Sequence, residues 1–384
     1  MESELSIAVD FAVISGLAMR TASGSVTHAP FALAPATIPE HCFRTAVALQ
    51  PLFNLLVHTV SQDSAFLVSV MDEFLYDRSD SPVKYNLPEN NSLTGLTKAL
   101  ARAWELYNNK SAVVVMVVQP GEKNTFDQRW LENSLFEQYN VKLIRRSMAE
   151  INEQGTLSGA DRKLILTGNI EVAVAYFRAG YAPTDYPTEK EWDSRLLIER
   201  SHAIKCPNVA YHLVGSKKIQ QILANPNILE KFVPHKPHAN LLRSSFTGLF
   251  PLDTSLSGLA AVASALESPE RYVMKPQREG GGNNIYGVDV RTALQKLTPA
   301  ERNAYILMEL IKPPPARGIL VRDGVAFERD VISELAAGHL LRTKVADSNE
   351  GGVAAGYSVL DSPNLKCHVG LQMLHKPVQH HSQQ

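Results

Sequence analysis

Apolar residues at helical spacing dominate the first 110 residues of the chain. Ala46 to Val60 is rich in apolar side chains. In a second segment, apolar side chains recur at steps of three and four, which form one face of a helix: Leu93, Leu96, Leu100, Ala103 and Tyr107. The polar stretch 77–91 between them contains Pro82 and Pro88 and has no core-forming pattern. The pattern predicts an N-terminal helical region at residues 1–110 with a linker at 77–91.

The pattern changes between residues 111 and 215. Ala112 to Val118 is an unbroken apolar run, typical of a strand covered on both faces. Further predicted strands are Val141 to Ile144, Leu164 to Leu166 and Val172 to Phe177. Thr188 to Glu191 matches a capping box, which predicts the start of a helix there. Because strands and helices alternate, we expect a parallel α/β domain at residues 111–215.

Residues 216–361 show a mixed pattern that predicts a third region. A helix is expected to start at Ser216, and strands are predicted at Tyr272 to Lys275, Tyr305 to Met308 and Gly318 to Val321. Pro313, Pro314 and Pro315 cannot sit inside an element and mark a boundary. Residues 362–384 show no periodicity, so we expect a disordered tail.

Composition narrows the class of protein. The 384 residues include 38 basic and 39 acidic side chains, for a net charge of −1. A balance this even gives no reason to expect nucleic acid or a membrane as the main partner. No apolar stretch is long enough to cross a bilayer. The three cysteines are far apart, which fits a reducing compartment. We therefore expect a cytoplasmic protein.

The strongest local signal is the segment Val273 to Gly287. A predicted strand delivers Lys275, and Gly280, Gly281 and Gly282 follow shortly after. Three glycines let several backbone N–H groups point toward one phosphate group, while Lys275 adds a positive charge. Glu279 offers the hard oxygen ligand that Mg²⁺ prefers. A flexible hairpin with a solvated lysine is the alternative, but the charged residues around the glycines favour a phosphate site.

Two later segments carry weaker signals. Tyr305 to Ile311 is a predicted strand that leads into an exposed hinge, which suits an adenine edge, although an ordinary core strand would look the same. Arg342 is suited to a bidentate grip on a carboxylate. The glycine-rich stretch Gly351 to Gly356 is slim enough to close over a small substrate, and equally compatible with a surface turn.

Polar residues follow two strands of the predicted parallel layer. Glu122, Asn124 and Gln128 come after the first strand, and Arg178 to Tyr181 follow the strand that ends at Phe177. Parallel sheets bind ligands beyond the carboxyl ends of their strands. The sequence therefore places these side chains at the right edge for a substrate, although an isolated arginine there is more often solvated.

Taken together, these segments resemble the eukaryotic glutathione synthetases, a branch of the ATP-grasp ligases, and most closely the plant members. The resemblance runs from about residue 25 to Asp361. Its most specific block is Lys275 to Gly287, and others include Phe126 to Gln128, Tyr176 to Arg178 and Gly351 to Gly356. It implies an α/β fold, α+β in part, with an ATP-grasp nucleotide region and a lid at 216–361.

The resemblance also implies a reaction and its residues. γ-Glutamylcysteine would be phosphorylated by ATP, and the acyl phosphate would react with glycine, with Mg²⁺ held by Glu279. Lys275 and Arg342 would be catalytic. The implied ATP-binding residues are Lys217, Lys275, Pro276, Gln277, Arg278, Glu279, Gly280, Gly281, Gly282, Asn283, Asn284, Tyr286, Met308, Glu309, Leu310, Ile311, Glu334, Lys344 and Glu350. The implied peptide-binding residues are Glu122, Lys123, Asn124, Gln128, Arg178, Ala179, Gly180, Tyr181, Arg342, Val353 and Ala354.

This sequence departs from the family pattern in two internal places. Relatives carry a long segment between the equivalents of Leu67 and Leu87, with a Glu-x-Asn-Thr-Ile-Ser block that supplies further magnesium ligands. They also carry a strand and a hairpin after the equivalent of Leu335, where this chain jumps through Ala336 and Ala337 to Gly338. We therefore expect little or no ligase activity. An active enzyme with substitute carboxylates in the linker is the alternative.

Two further properties follow from the family. Family members are homodimers, so this chain is expected to form a homodimer or a mixed dimer with full-length subunits. A non-catalytic partner that binds nucleotide is the competing function. Ala354 and Ala355 stand where relatives that accept β-alanine carry Leu-Pro, which favours glycine as the acceptor.

Overall fold

Helices and strands fill most of the chain that the computed structural model describes. The described residues are 5, 8–10, 12–13, 17–21, 25–32, 36–61, 91–122, 124–277, 282–313, 315–323, 325–336, 340–346, 348, 358–361 and 363–366. None of the helices in these ranges combines the length and the apolar character needed to cross a membrane.

The elements are numbered in chain order. The helices are α1 (Glu40–Ser61), α2 (Ser92–Tyr107), α3 (Thr125–Tyr139), α4 (Met148–Gln154), α5 (Glu189–Arg200), α6 (Val209–Val214), α7 (Lys217–Ala224), α8 (Leu229–Phe232), α9 (Lys236–Arg243), α10 (Leu256–Glu267), α11 (Val288–Lys296) and α12 (Pro299–Arg302). The strands are β1 (Ala18–Arg20), β2 (Val26–His28), β3 (Phe31–Ala32), β4 (Ala36–Pro39), β5 (Val113–Val117), β6 (Leu143–Arg146), β7 (Gly155–Ser158), β8 (Lys163–Leu166), β9 (Ile170–Phe177), β10 (Ile204–Cys206), β11 (Leu249–Phe250), β12 (Tyr272–Pro276), β13 (Ile285–Tyr286), β14 (Tyr305–Glu309), β15 (Ala316–Arg322), β16 (Val325–Ala336), β17 (Leu340–Val345), β18 (Val359–Asp361) and β19 (Pro363–Lys366).

A mixed sheet forms the centre of the first half. Strand β5 lies between β6 and β9 and runs parallel to both, and β10 is parallel to β9. This confirms the predicted parallel layer. The expectation that Leu164 to Leu166 joins it in parallel is wrong, because β8 pairs with β9 in antiparallel register. The short turn between them contains Gly168 and Asn169 at positive φ, and a turn this short cannot make the long crossover that parallel strands need.

Both faces of this sheet are buried under helices. Val114, Met116 and Val174 pack on one face against Leu100 of α2 and Leu135 of α3. Val113, Val115 and Val117 pack on the other face, where Ile151 of α4 and Ile198 of α5 cover them. Alternate residues of β5 therefore enter different cores. This explains why the strand is an unbroken apolar run, and the predicted apolar face of α2 is confirmed in the same core.

Four short strands precede the first long helix, where the sequence predicts mainly helix. Strands β1 and β2 form an antiparallel hairpin, while β3 and β4 pair with strands near the other end of the chain. Strand β4 runs parallel to β19, so the expected disordered tail at 362–384 is wrong at Pro363–Lys366. Strands of two to four residues are too short to show a period of two, and the partners of β3 and β4 lie far along the chain, near its other end.

The second half contains an antiparallel sheet and a small barrel. Strand β12 lies between β13 and β14, and β11 extends the sheet beyond β14. Helices α10 and α11 contribute Ala261, Val262 and Leu294 to the core against Met274 and Leu307. Strands β15 to β18 close into a barrel with β3 from the N-terminal region. The predicted strands at Tyr272, Tyr305 and Gly318 and the helix after Ser216 are confirmed.

Candidate functional site

The carboxyl ends of β5 and β9 lie side by side. Val117 pairs with Phe177 at the end of the two strands. The backbone N–H of Arg178 donates to the carbonyl oxygen of Val117 at 2.8 Å. The loop after β5 and the loop after β9 therefore start from neighbouring positions, and the structure brings the polar residues of both loops to one edge of the sheet.

A carboxylate and an amide connect the loop after β5 to helix α3. One oxygen of Glu122 accepts from the backbone N–H of Asn124 at 2.8 Å, and the other accepts from Nε2 of Gln128 at 2.9 Å. Gln128 is almost completely buried, with 1% of its surface exposed. These three predicted peptide-binding residues thus form one hydrogen-bonded group.

An ion pair joins the two loops. Nη2 of Arg178 makes a short contact with Oδ2 of Asp127 in the first turn of α3. Burial raises the pKa of the Asp127 carboxyl, and the Arg178 charge opposes that rise. Burial would lower the pKa of Arg178, but Asp127, Tyr176 and Glu122 outweigh it, and the pKa is raised. Arg178 is therefore a fixed positive charge at this edge.

A second carboxylate, that of Asp185, fixes the backbone of the loop after Arg178. Oδ2 of Asp185 accepts from the backbone N–H groups of Gly180, Tyr181 and Ala182 at 2.9, 3.0 and 3.2 Å. The hydroxyl of Tyr186 donates to the carbonyl oxygen of Gly180 at 2.9 Å. Gly180 has φ +86°, and a Cβ added there would lie 3.0 Å from that hydroxyl. The conformation of this predicted peptide loop thus requires glycine.

A side-chain amide connects the two elements that carry the lysines predicted to hold ATP phosphates. Lys275 lies on β12, and Gln277 follows the end of this strand. Oε1 of Gln277 accepts from the backbone N–H of Lys218 in the first turn of α7 at 3.1 Å. Lys217, the other predicted phosphate ligand, begins this helix. One hydrogen bond therefore fixes the start of α7 against the end of β12.

The predicted adenine border lies on and after β14. Met308 pairs with Val273 of β12, and Glu309 is held by the backbone of Gly248, to which it donates at 2.9 Å. Leu310 and Ile311 follow the strand, and Ile311 is 62% exposed. This segment is a strand end that leads to the surface, as predicted.

The structure also describes further residues that the sequence predicts to bind the nucleotide. Asn284 donates from Nδ2 to the hydroxyl of Tyr286 at 3.1 Å, and Gly282 has φ +71°. Pro276 ends β12, and Asn283 lies before β13.

The barrel carries Arg342 and Lys344 on strand β17. The residue between them, Thr343, is 1% exposed and donates from its hydroxyl to Oδ2 of the buried Asp361 at 2.5 Å. Successive side chains of a strand point to opposite faces, so Arg342 and Lys344 lie on the face away from Thr343. Nζ of Lys344 makes a short hydrogen bond to the carbonyl oxygen of Ser348. Glu334 of β16 pairs with Arg342 in the backbone register.

Several predicted site residues lie outside the described residues. They are Lys123, Arg278, Glu279, Gly280, Gly281, Glu350, Val353 and Ala354, together with the side chain of Glu334. The predicted lid and the predicted magnesium ligand belong to this set. Within the described residues, no three His, Cys, Asp or Glu side chains come together as a metal site would need.

The sequence did not indicate two carboxylates that organise this edge. Asp127 stands directly before the predicted Gln128, and Asp185 lies five residues after Gly180. A signal exists for Asp185, because Pro183 marks the start of a helical turn and an acidic side chain in that first turn reaches back to the backbone N–H of the preceding Ala182. No sequence signal pairs Asp127 with an arginine 51 residues away.

The fold and the site together define a class of protein. A parallel layer with polar residues beyond the carboxyl ends of its strands occurs together with an antiparallel sheet that carries Lys275, and this is the α/β fold of the ATP-grasp ligases. The family model described as "Eukaryotic glutathione synthase, ATP binding domain" matches residues 2–83, 74–337 and 335–365. The chain belongs to the family of eukaryotic glutathione synthetases, which are ATP-dependent ligases, and ATP is its co-substrate.

Individual relatives agree with this assignment. A chloroplastic glutathione synthetase of Solanum lycopersicum is 39% identical over 88% of this chain and 78% of its own length. The glutathione synthetase of Xenopus laevis is 37% identical over 95% of this chain and 97% of its own length. The solved structure of a glutathione synthetase-like effector from Globodera pallida covers 95% of this chain and 97% of its own, with a TM-score of 0.71. At 19% identity, that likeness shows the fold alone and confirms the predicted fold class.

Proposed function

We propose that this glutathione synthetase chain binds ATP and γ-glutamylcysteine but joins the peptide to glycine weakly or not at all. The observation that carries the proposal is the break in the family match. The matched segments meet at residues 74–83 and again at 335–337. These junctions coincide with the two places where the sequence predicts missing internal segments.

The lengths of the alignments support the same conclusion. The alignment with the Xenopus laevis relative extends over 463 residues, whereas this chain has 384. There are therefore aligned positions at which the relative has a residue and this chain has none. Losing such segments from a packed sheet leaves unpaired strand edges, and losing carboxylates leaves phosphate charge without neutralisation.

The chemistry proposed for the intact family site needs no covalent protein nucleophile. The peptide carboxylate attacks the γ-phosphorus of ATP, ADP leaves, and the amine of glycine then displaces phosphate from the acyl phosphate. Lys275 and Lys217 would place positive charge beside the phosphates, and Arg178 and Arg342 would orient carboxylates. Phosphoryl transfer depends chiefly on positioning and charge neutralisation. In the described framework Lys217 begins a helix, Lys275 lies near the end of β12, Arg178 follows β9, and Arg342 lies within β17.

Magnesium belongs to this proposal. Glu279 would hold the ion beside the glycine-rich loop, since a carboxylate oxygen is a ligand of the type Mg²⁺ prefers and the phosphates themselves supply further oxygens. The ion would spread the negative charge of the triphosphate.

Assembly and location complete the proposal. We propose that the chain forms a homodimer or a mixed dimer with full-length subunits. Val47 and Leu55 on α1 are 48% and 51% exposed, which supports an apolar contact through this helix.

A cytoplasmic location is supported by the three widely spaced cysteines. Cell fractionation would distinguish a cytoplasmic chain from a chloroplastic one, the location that the name of the tomato relative gives for that protein.

A graft tests the proposal directly. The segments of a full-length relative would be inserted at residues 74–83 and at 335–337, each alone and both together. We expect glycine-dependent ADP release to approach the rate of the full-length relative only when both segments are present, with ATP affinity changed much less. Full activity of the unmodified chain, at the rate of the full-length relative, would contradict the proposal.

A further inference from the structure

Asp127 is not among the predicted peptide-binding residues, although it contacts one of them, Arg178. Its Oδ2 pairs with Nη2 of Arg178, whose side chain is 17% exposed. Its second oxygen, Oδ1, is buried and has no hydrogen-bond partner within the part of the chain that the structure describes. A carboxylate that uses one oxygen for an internal arginine and keeps the other unpaired is unusual for a purely structural residue.

The surroundings of Arg178 leave Asp127 as the group that fixes its side chain. The backbone of Arg178 is fixed by its hydrogen bond to Val117, but a long arginine side chain keeps rotamer freedom beyond the backbone. Because Asp127 takes only Nη2, other N–H groups of the guanidinium remain available for a second carboxylate.

A small cavity opens beside this pair. Its polar side consists of Asp127, Gln128, Tyr176 and Arg178, and its apolar side consists of Leu93 and Leu96 of α2 with Met116 and Leu131. Oε1 of Gln128 is likewise buried without a partner within the described ranges, while its Nε2 bonds to Glu122. Asp127 and Gln128 are neighbours in the first turns of α3, so the unused oxygens and the arginine face one small polar space.

We propose that Asp127 is a positioning residue of the peptide site, which orients the Arg178 guanidinium and keeps it in place for the substrate carboxylate. The proposal rests on the proposed function, because it requires that Arg178 contacts γ-glutamylcysteine. Asp127 acts through Arg178 and does not itself take part in phosphoryl transfer.

The test is isothermal titration calorimetry on the full chain, with γ-glutamylcysteine and separately with a non-hydrolysable ATP analogue. Asp127→Asn keeps the shape but turns a charged hydrogen bond into a neutral one, so we expect about tenfold weaker peptide binding. Affinity for the ATP analogue should stay within about twofold, because Asp127 lies on the peptide side. The matched control is Glu132→Gln, which removes an exposed ion pair with Arg129 from the same helix and should change neither affinity.

A second variant separates positioning from general destabilisation. If Asp127 acts through Arg178, the double variant Asp127→Asn/Arg178→Lys should bind the peptide no more weakly than Arg178→Lys alone. Peptide binding unchanged in Asp127→Asn, or losses that multiply in the double variant, would overturn the proposal. A wild-type chain that binds the ATP analogue but not the peptide would overturn the proposed peptide site as well. If Asp127→Asn fails to fold, Asp127→Glu, which restores the charge, must recover peptide binding to support the proposal.

Discussion

The loop at Gly180 to Ala182 offers the sharpest prediction about the peptide site. A single oxygen of Asp185 accepts three backbone N–H groups there, at 2.9 to 3.2 Å. Ala179, directly before the loop, and Ala182, its last residue, are well buried, with 3% and 6% of their surface exposed. If the carboxylate is removed, water can therefore replace only part of its hydrogen bonds to the loop.

The magnitude follows from the strength of these bonds. A hydrogen bond to a charged group contributes about 1.5–3 kcal/mol, and a neutral one about 1 kcal/mol. Asp185→Asn turns three charged bonds into neutral ones, and because they share one oxygen we expect a total loss of about 2 kcal/mol. Asp185→Ala leaves the N–H groups without their acceptor, and we expect a loss of about 4 kcal/mol.

Hydrogen exchange of the three amides is the assay, since it reports this loop separately from the rest of a large chain. A loss of about 2 kcal/mol corresponds to roughly thirtyfold faster exchange at Gly180, Tyr181 and Ala182 in Asp185→Asn. The control is Asp253→Asn, which changes a comparable carboxylate far along the chain from this loop. Asp253 accepts from the backbone N–H of Ser255 at 3.0 Å. Equal exchange in the wild type and in Asp185→Asn would refute this account of the loop.

Three further variants test other parts of the structure. Burial, followed by the charge of Arg195, lowers the pKa of His212 to about 4. The unfolded chain therefore binds a proton between about pH 6.5 and 4 that the folded chain does not, and the free energy of unfolding should fall by up to about 3 kcal/mol as pH drops through this range. In His212→Gln, urea unfolding should show a smaller fall; an identical pH dependence would contradict the assignment. Gln277→Met removes the acceptor of the Lys218 N–H group, so ATP-analogue affinity should fall about fivefold in calorimetry while peptide affinity is retained. Thr343→Val removes the hydroxyl that donates to Asp361, and thermal unfolding should show a loss of about 1–2 kcal/mol; no change would mean that this bond does not stabilise the barrel.

The sequence predicts those helices and strands whose own pattern of apolar residues shows which of their faces are buried. The run at β5 is apolar throughout because both of its faces are covered, and the spacing in α2 records the single face that packs on the sheet. The strands before α1 and strand β19 were not predicted. Each is two to four residues long, which is too short to show a period of two, and β3, β4 and β19 also depend on partners at the other end of the chain.

The candidate site also has one part that the sequence predicts and another that depends on how distant segments pack together. The positions of Glu122 and Arg178 follow from the rule that ligands lie beyond the carboxyl ends of parallel strands, and the structure brings the two loops together. The pairing of Arg178 with Asp127 depends on how α3 packs beside β9, which no local pattern reveals. The roles of these residues toward ATP and peptide remain predictions from the family resemblance.

The most direct test of the central claim is a coupled ADP-release assay on the purified chain with ATP, Mg²⁺ and γ-glutamylcysteine, with and without glycine. A full-length relative serves as the positive control, and Lys275→Ala as the control for contaminating activity. We predict that the chain releases ADP in a glycine-dependent manner at less than about a hundredth of the rate of the relative, because lost phosphate neutralisation of about 3 kcal/mol lowers the rate more than a hundredfold. Glycine-dependent turnover at the rate of the relative, abolished by Lys275→Ala, would contradict the account and show that the missing segments are dispensable.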